Sequence, residues 1–228
     1  MMRRNIALIP AAGVGARFGA GKPKQYVEIN GKTVLQHTIE IFEQHPRIDL
    51  IAVILSPEDS VFQTALSEKV RVFRVGGASR AETVRNGVSV LLEQGLAEAQ
   101  DNILVHDAAR CCLPAEALTR LLDEAGENDE GGILAIPVAD TLKRADGSHH
   151  IDETVVRAGL WQAQTPQLFQ TALLNRALSV DDLSEITDEA SAVEKLGIRP
   201  RLVQGDTRNL KLTLPQDEYI VRLLLKAV

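Results

Sequence analysis

The chain has 228 residues, a formal net charge of −6 and 45% hydrophobic residues, enough for one α/β domain spanning residues 1–228 that buries about 70–75% of its unfolded surface. The acidic balance argues against a nucleic-acid partner, whose footprint would be a basic surface. No apolar run reaches membrane-spanning length, and Arg3-Arg4 leads only into a strand-length segment rather than a signal peptide, so a soluble cytoplasmic protein is expected.

A first strand is predicted at residues 6–9, followed by Pro10-Ala11-Ala12-Gly13-Val14-Gly15-Ala16-Arg17-Phe18 and then Lys22-Pro23-Lys24-Gln25. Glycines let backbone N–H groups approach phosphate oxygens, and the arginine and lysines neutralise the remaining charge. The loop therefore points to nucleotide binding, against the plainer alternative of a glycine-rich turn with solvated cations. It is not a P-loop, because Gly21-Lys22 is followed by Pro23 rather than Ser or Thr. Nor is it a dinucleotide fingerprint, since the third glycine is missing and no acidic residue follows about 20 positions on.

Strands are predicted at residues 49–55, 70–75, 102–105 and 132–138, with helices at 34–43, 79–92 and 114–124 between them. This is the βαβ rhythm of a mostly parallel sheet with helices on both faces. Ser79-Arg80-Ala81-Glu82 fits a capping box, and the helix it opens stands beside Gly76-Gly77, where it can hold an anion or a base edge. Val105-His106-Asp107-Ala108-Ala109-Arg110 follows a strand end, the edge where open parallel sheets form their ligand crevice. Asp107 reads either as the N-cap of the next helix or, together with the first loop, as a magnesium ligand that a triphosphate would complete. His106 reads as orienting its neighbours. Cys111 and Cys112 are adjacent, which disfavours a disulfide, and no nearby histidine suggests zinc, so reduced structural thiols are expected.

Beyond residue 138 the rhythm changes. Residues 140–160 hold Asp146-Gly147-Ser148 between extended segments, predicting a hairpin with too little apolar surface to stand alone and a second subunit as its support. Helical patterns follow at 171–178 and 187–196, then an extended piece at 201–214 and a closing helix after Pro215.

In order along the chain stand Pro10 to Arg17, Pro23-Lys24-Gln25-Tyr26, Gly76-Gly77, Arg80, the His-Asp-Ala-Ala-Arg segment, Asp140-Thr141-Leu142-Lys143-Arg144, Gly159-Leu160-Trp161, Thr165-Pro166-Gln167, Ile186-Thr187-Asp188-Glu189-Ala190 and Asn209-Leu210-Lys211. Over nearly its whole length the chain resembles the 2-C-methyl-D-erythritol 4-phosphate cytidylyltransferases of non-mevalonate isoprenoid synthesis. The resemblance implies a Rossmann-like nucleotidyltransferase sheet with a protruding arm at residues 139–160 and a homodimer in which each arm reaches the partner's site. It implies transfer of CMP from CTP to 2-C-methyl-D-erythritol 4-phosphate with loss of pyrophosphate, Mg²⁺ or another divalent cation being held at Asp107.

The catalytic cations implied are Arg17, Lys24 and Lys211. The implied nucleotide contacts are Ala11, Ala12, Gly13, Gly15, Gly77, Ala78, Thr83, Asp107, Ala108 and Arg110, with backbone groups near Ala11, Ala12, Gly77 and Ala78 reading cytosine. Thr141, Arg157, Thr165 and Lys211 are implied to hold the methylerythritol phosphate. Two departures from the family pattern stand out. Arg208 occupies a position that is often acidic, leaving Asp206 as a possible substitute, and Cys111 stands where proline is common. A cytidylyltransferase for another polyol phosphate, such as ribitol 5-phosphate, would share the CTP site and differ at the arm. A nucleotide-sugar glycosyltransferase would carry an Asp-x-Asp motif that is absent here, and a binding-only regulator would not need the four charged residues Arg17, Lys24, Asp107 and Lys211.

Overall fold

A computed structural model describes residues 3–13, 23–63 and 67–226. Its centre is a seven-stranded sheet in the order β11-β7-β10-β6-β1-β4-β5. The strands are β1 (Asn5–Pro10), β4 (Leu50–Ile54), β5 (Val70–Phe73), β6 (Asn102–Val105), β7 (Gly132–Pro137), β10 (Trp161–Gln170) and β11 (Arg201–Gln204). β1 lies parallel to β4 and β6, β4 to β5, and β11 to β7, while β10 runs antiparallel to both β6 and β7. Buried on both faces, β1 reads as a continuous apolar run, as parallel strands do.

Alternate residues of the sheet feed two cores. One face packs Ala7, Ile9, Val53 and Leu104 against α1 (Val34–Gln44) and α3 (Ala115–Ala125). The other packs Leu8, Ile54, Val105 and Phe169 against α2 (Arg80–Glu93), α4 (Thr171–Leu178) and α5 (Glu189–Glu194). The helices expose the matching periodicity: in α3 the buried residues are Ala117, Leu118, Leu121, Leu122 and Ala125. Helices on both faces of a mostly parallel sheet agree with the sequence expectation, and the chain closes with α6 (Asp217–Leu224). Cys111 and Cys112 are free thiols; a bond to the Cys112 sulfur and burial push the Cys111 thiol up.

Three details differ from expectation. β10, ten residues long and lying between β6 and β7, carries Pro166 and four glutamines, and the sequence pattern does not predict it as a strand. The extended piece at 201–214 is a strand only at Arg201–Gln204. A small hairpin of β2 (Glu28–Ile29) and β3 (Lys32–Thr33) precedes α1. The anticipated hairpin is present as β8 (Leu142–Ala145) and β9 (Ile151–Val155), a two-stranded sheet separate from the main one.

Candidate active site

The carboxyl ends of β1, β4 and β6 open onto a cavity of about 590 Å³ lined by Pro10 to Gly13, Lys24, Gln25, Ser56, Gly77 to Arg80, Thr83, Asp107 to Ala109, Lys211 and Thr213. One end is small and neutral. There the first loop and the turn after β5 meet so closely that a Cβ at Gly76 would lie 2.3 Å from the Ala12 Cβ. The other end is charged, with Lys24, Arg80 and Lys211 around Asp107, the one acid among the described lining residues.

Asp107 is nearly enclosed by cations. Its Oδ1 accepts from Arg80 Nε at 2.9 Å, and its Oδ2 lies 3.0 Å from Lys211 Nζ and 3.4 Å from Arg110 Nε. Burial alone would push its carboxyl up, but the charges of Arg80, Lys211 and Arg110 outweigh burial and hold it well below the usual carboxylate range. The Asp107 N–H donates to Thr165 Oγ1 at 3.1 Å. Thr165 can then donate its hydroxyl to His106 Nδ1, also at 3.1 Å, and His106 Nε2 donates to the Arg110 carbonyl at 3.0 Å. Burial lowers His106 to about 4, so the ring is neutral and serves as a link in this chain of bonds.

Arg80 is held from behind. Its two terminal nitrogens donate to Glu189 at 2.7 and 3.1 Å, the bidentate geometry that suits a guanidinium. Burial pushes the Glu189 carboxyl up, and Arg80 opposes that. Glu189 starts α5, whose N-terminus is tied to β10: Ala190 N–H donates to Gln167 Oε1, and Gln167 Nε2 donates to Asp188, both at 2.8 Å.

Lys24 lies in a single turn of 3₁₀ helix, Lys24–Tyr26, and its ammonium donates to the Leu212 carbonyl at 3.0 Å, next to Lys211. Gln25 is buried, and its amide donates to the carbonyls of Ala11 and Gly13 at 3.0 and 2.9 Å. The Tyr26 hydroxyl donates to Asp59 at 2.5 Å. The turn is thus pinned by the two residues that follow the lysine it presents to the cavity.

Of the residues implied by the resemblance, Ala11, Ala12, Gly13, Lys24, Gly77, Ala78, Thr83, Asp107, Ala108 and Lys211 all line this one cavity. Arg17 and Gly15 lie outside the described residues. Arg110 and Thr165 do not line the cavity: Arg110 bonds Asp107 and the Asn209 carbonyl, and Thr165 is buried behind Asp107. As placed they position Asp107 rather than present themselves to a ligand. Thr141 and Arg157 stand exposed on the arm, where Arg157 donates to the Ala139 carbonyl. Asp206 is paired with Arg208 at 2.8 Å and is not among the lining residues. The Ser79 hydroxyl accepts from Glu82 N, but the Glu82 carboxylate bonds Ala78 N–H instead of Ser79 N–H, so only half of the expected capping box forms. In the sequence Gln25, Arg80 and Glu189 stand only as parts of motifs; burial of Gln25 and Glu189, and the pairing of Arg80 with Glu189 and Asp107, give them a part in the site.

The family model described as IspD, 2-C-methyl-D-erythritol 4-phosphate cytidylyltransferase, matches residues 5–227. This chain belongs to that cytidylyltransferase family. A Neisseria meningitidis serogroup C relative named as 2-C-methyl-D-erythritol 4-phosphate cytidylyltransferase is 70% identical and covers 100% of both chains. A crystal structure of a 4-diphosphocytidyl-2C-methyl-D-erythritol synthase superposes with a TM-score of 0.89 at 64% identity, covering 99% of this chain and 100% of the other. The Francisella tularensis cytidylyltransferase structure does so with a TM-score of 0.82 at 32% identity, covering 97% and 99%.

Proposed function

We propose that this chain transfers CMP from CTP to 2-C-methyl-D-erythritol 4-phosphate, releasing pyrophosphate, and does so in the cavity at the carboxyl edge of β1, β4 and β6. The observation that carries the reading is the division of one cavity into a neutral slot and a cationic end built on Lys24, Arg80, Asp107 and Lys211. In this reading cytosine lies between the first loop and Gly77-Ala78, with the triphosphate at the lysines.

Both reactants are polyanions, so the chief tasks are to bring them together and to stabilise charge as the phosphate oxygen attacks the α-phosphorus in line. Lys24 neutralises the α-phosphate and leaving group, with Arg17 gripping the triphosphate. Lys211 exchanges Asp107 for phosphate oxygens. Arg80, held by Glu189, keeps Asp107 in place. Among the described residues no cluster of three or more acids, histidines and cysteines is arranged for a metal ion, and the cavity offers the Asp107 carboxylate alone. That suits Mg²⁺, which takes one or two carboxylates and fills its shell with phosphate and water oxygens. Asp107 would hold the cation, which when bound neutralises triphosphate charge.

The reading extends to a homodimer through the arm, residues 139–160, with Thr141 and Arg157 serving the partner's methylerythritol phosphate. The exposed apolar side chains Ile151, Val156, Leu160 and Trp161 on and beside the arm support it. A cytoplasmic location accords with reduced cysteines and with a structure in which no described helix is long and apolar enough to cross a membrane. The test is pyrophosphate release from purified protein with CTP, Mg²⁺ and 2-C-methyl-D-erythritol 4-phosphate, with UTP and ribitol 5-phosphate as controls. Release confined to CTP with methylerythritol phosphate is expected; release with ribitol phosphate instead would move the assignment to the sibling reaction.

A further inference from the structure

Three backbone donors of the neutral slot have partners inside the protein. Ala11 N–H donates to the Ile54 carbonyl at 2.8 Å, Gly77 N–H to Thr83 Oγ1 at 3.1 Å, and Ala78 N–H to Glu82 Oε2 at 2.8 Å. Glu82 does not line the cavity. It reaches Ala78 by running beneath Gly77, where a Cβ would lie 2.3 Å from the Glu82 Cγ and 2.7 Å from its Oε2. Its second oxygen lies 3.7 Å from Arg85, which steadies it from the solvent side. The glycine and the glutamate are therefore a matched pair: the missing side chain of one makes room for the other.

Cytosine and uracil have the same size and differ at position 4, where cytosine carries an amino donor and uracil a carbonyl acceptor. With their partners inside the protein, the Ala11, Gly77 and Ala78 N–H groups are withheld from a base in the slot. A free donor beside position 4 would bond the uracil oxygen and oppose the cytosine amine. We propose that Glu82 is a positioning residue for base selection: by holding the Ala78 N–H it removes a donor that uracil could use, and so widens the preference for CTP over UTP. The inference rests on the reading of this cavity as the CTP site.

The experiment compares kcat/KM for CTP and for UTP, each with 2-C-methyl-D-erythritol 4-phosphate, in the wild type, Glu82→Ala, Glu82→Asp and Glu82→Gln. Glu82→Ala is expected to lower the CTP-to-UTP ratio about tenfold, the scale of one hydrogen bond gained by the wrong base, through a better KM for UTP. Glu82→Asp keeps an acid in the first turn of α2 but is one methylene shorter, and should fall with Glu82→Ala. Glu82→Gln keeps an oxygen that can accept from Ala78 and should hold the wild-type ratio. Both nucleotides are assayed on one preparation, so any loss of folded protein cancels from the ratio. A CTP-selective wild type with unchanged ratios in Glu82→Ala and Glu82→Asp would overturn the inference alone, as would a Glu82→Gln ratio as low as that of Glu82→Ala. A wild type that releases no pyrophosphate from CTP would overturn the CTP reading and this inference with it.

Discussion

Lys24 is presented by a turn that Gln25 and Tyr26 hold in place, so removing its side chain should cost chemistry more than fold. Lys24→Ala is expected to lose on the order of a hundred- to thousand-fold in kcat, the scale for one transition-state donor, with an unchanged urea midpoint. Glu189 is the opposite case. Its carboxylate is buried against Arg80 and does not itself line the cavity, and removing one partner of a buried pair leaves the other charge uncompensated, at about 3–5 kcal/mol. Glu189→Ala should therefore shift the urea midpoint strongly, and should also raise the KM for CTP by loosening Arg80 and Asp107. Most residues of the charged end were legible in the sequence because cations after a glycine loop and an acid at a strand end have a direct chemical meaning. Glu189 and Gln25 were not. A glutamate in a helical pattern and a glutamine in a turn look like solvated surface until the fold buries them against Arg80 and against the Ala11 and Gly13 carbonyls.

At the scale of elements, the helices α1 to α4 and the strands β1 and β4 to β7 followed from apolar periodicity, with ends within about two residues of expectation. β10 did not, because Pro166 cannot give an N–H to a ladder and glutamines at 162, 164, 167 and 170 suggest exposure. In the fold, Gln164 and Gln167 are buried with partners, at Asp206 and at the start of α5, and the register shifts between Ala163 and Gln167 around the proline. Gln167→Leu is nearly neutral in volume but leaves the Ala190 N–H without its acceptor and the Asp188 carboxylate without a donor. It should cost roughly 1–3 kcal/mol in urea unfolding. The arm is the element least able to hold itself. Charging its apolar side chains in an Ile151→Asp/Val156→Asp variant is expected to convert a dimer to a 24.8 kDa monomer in light scattering, with activity falling if the arm serves the partner's site.

Across the whole molecule, two buried neutral histidines give stability a defined pH slope. His45 accepts from Arg47 N–H and bonds Thr119 Oγ1, and burial, reinforced by the charges of Arg47 and Lys69, lowers it from its ordinary 6.5; His106 is lowered to about 4. A folded value below the unfolded one means that the unfolded chain takes up the proton first. This contribution to stability is therefore fully present above about 6.5 and is lost as pH falls below it. The urea midpoint should fall between about pH 7.5 and pH 5.5, and should fall less in His45→Gln. The position of β10 has a further consequence, for synthesis on the ribosome. β6 and β7 are complete by residue 137, but the strand that joins them spans Trp161–Gln170. A nascent chain must therefore emerge with the edges of β6 and β7 that β10 later covers unpaired, and chains stalled before residue 160 would carry those edges as open templates for aggregation.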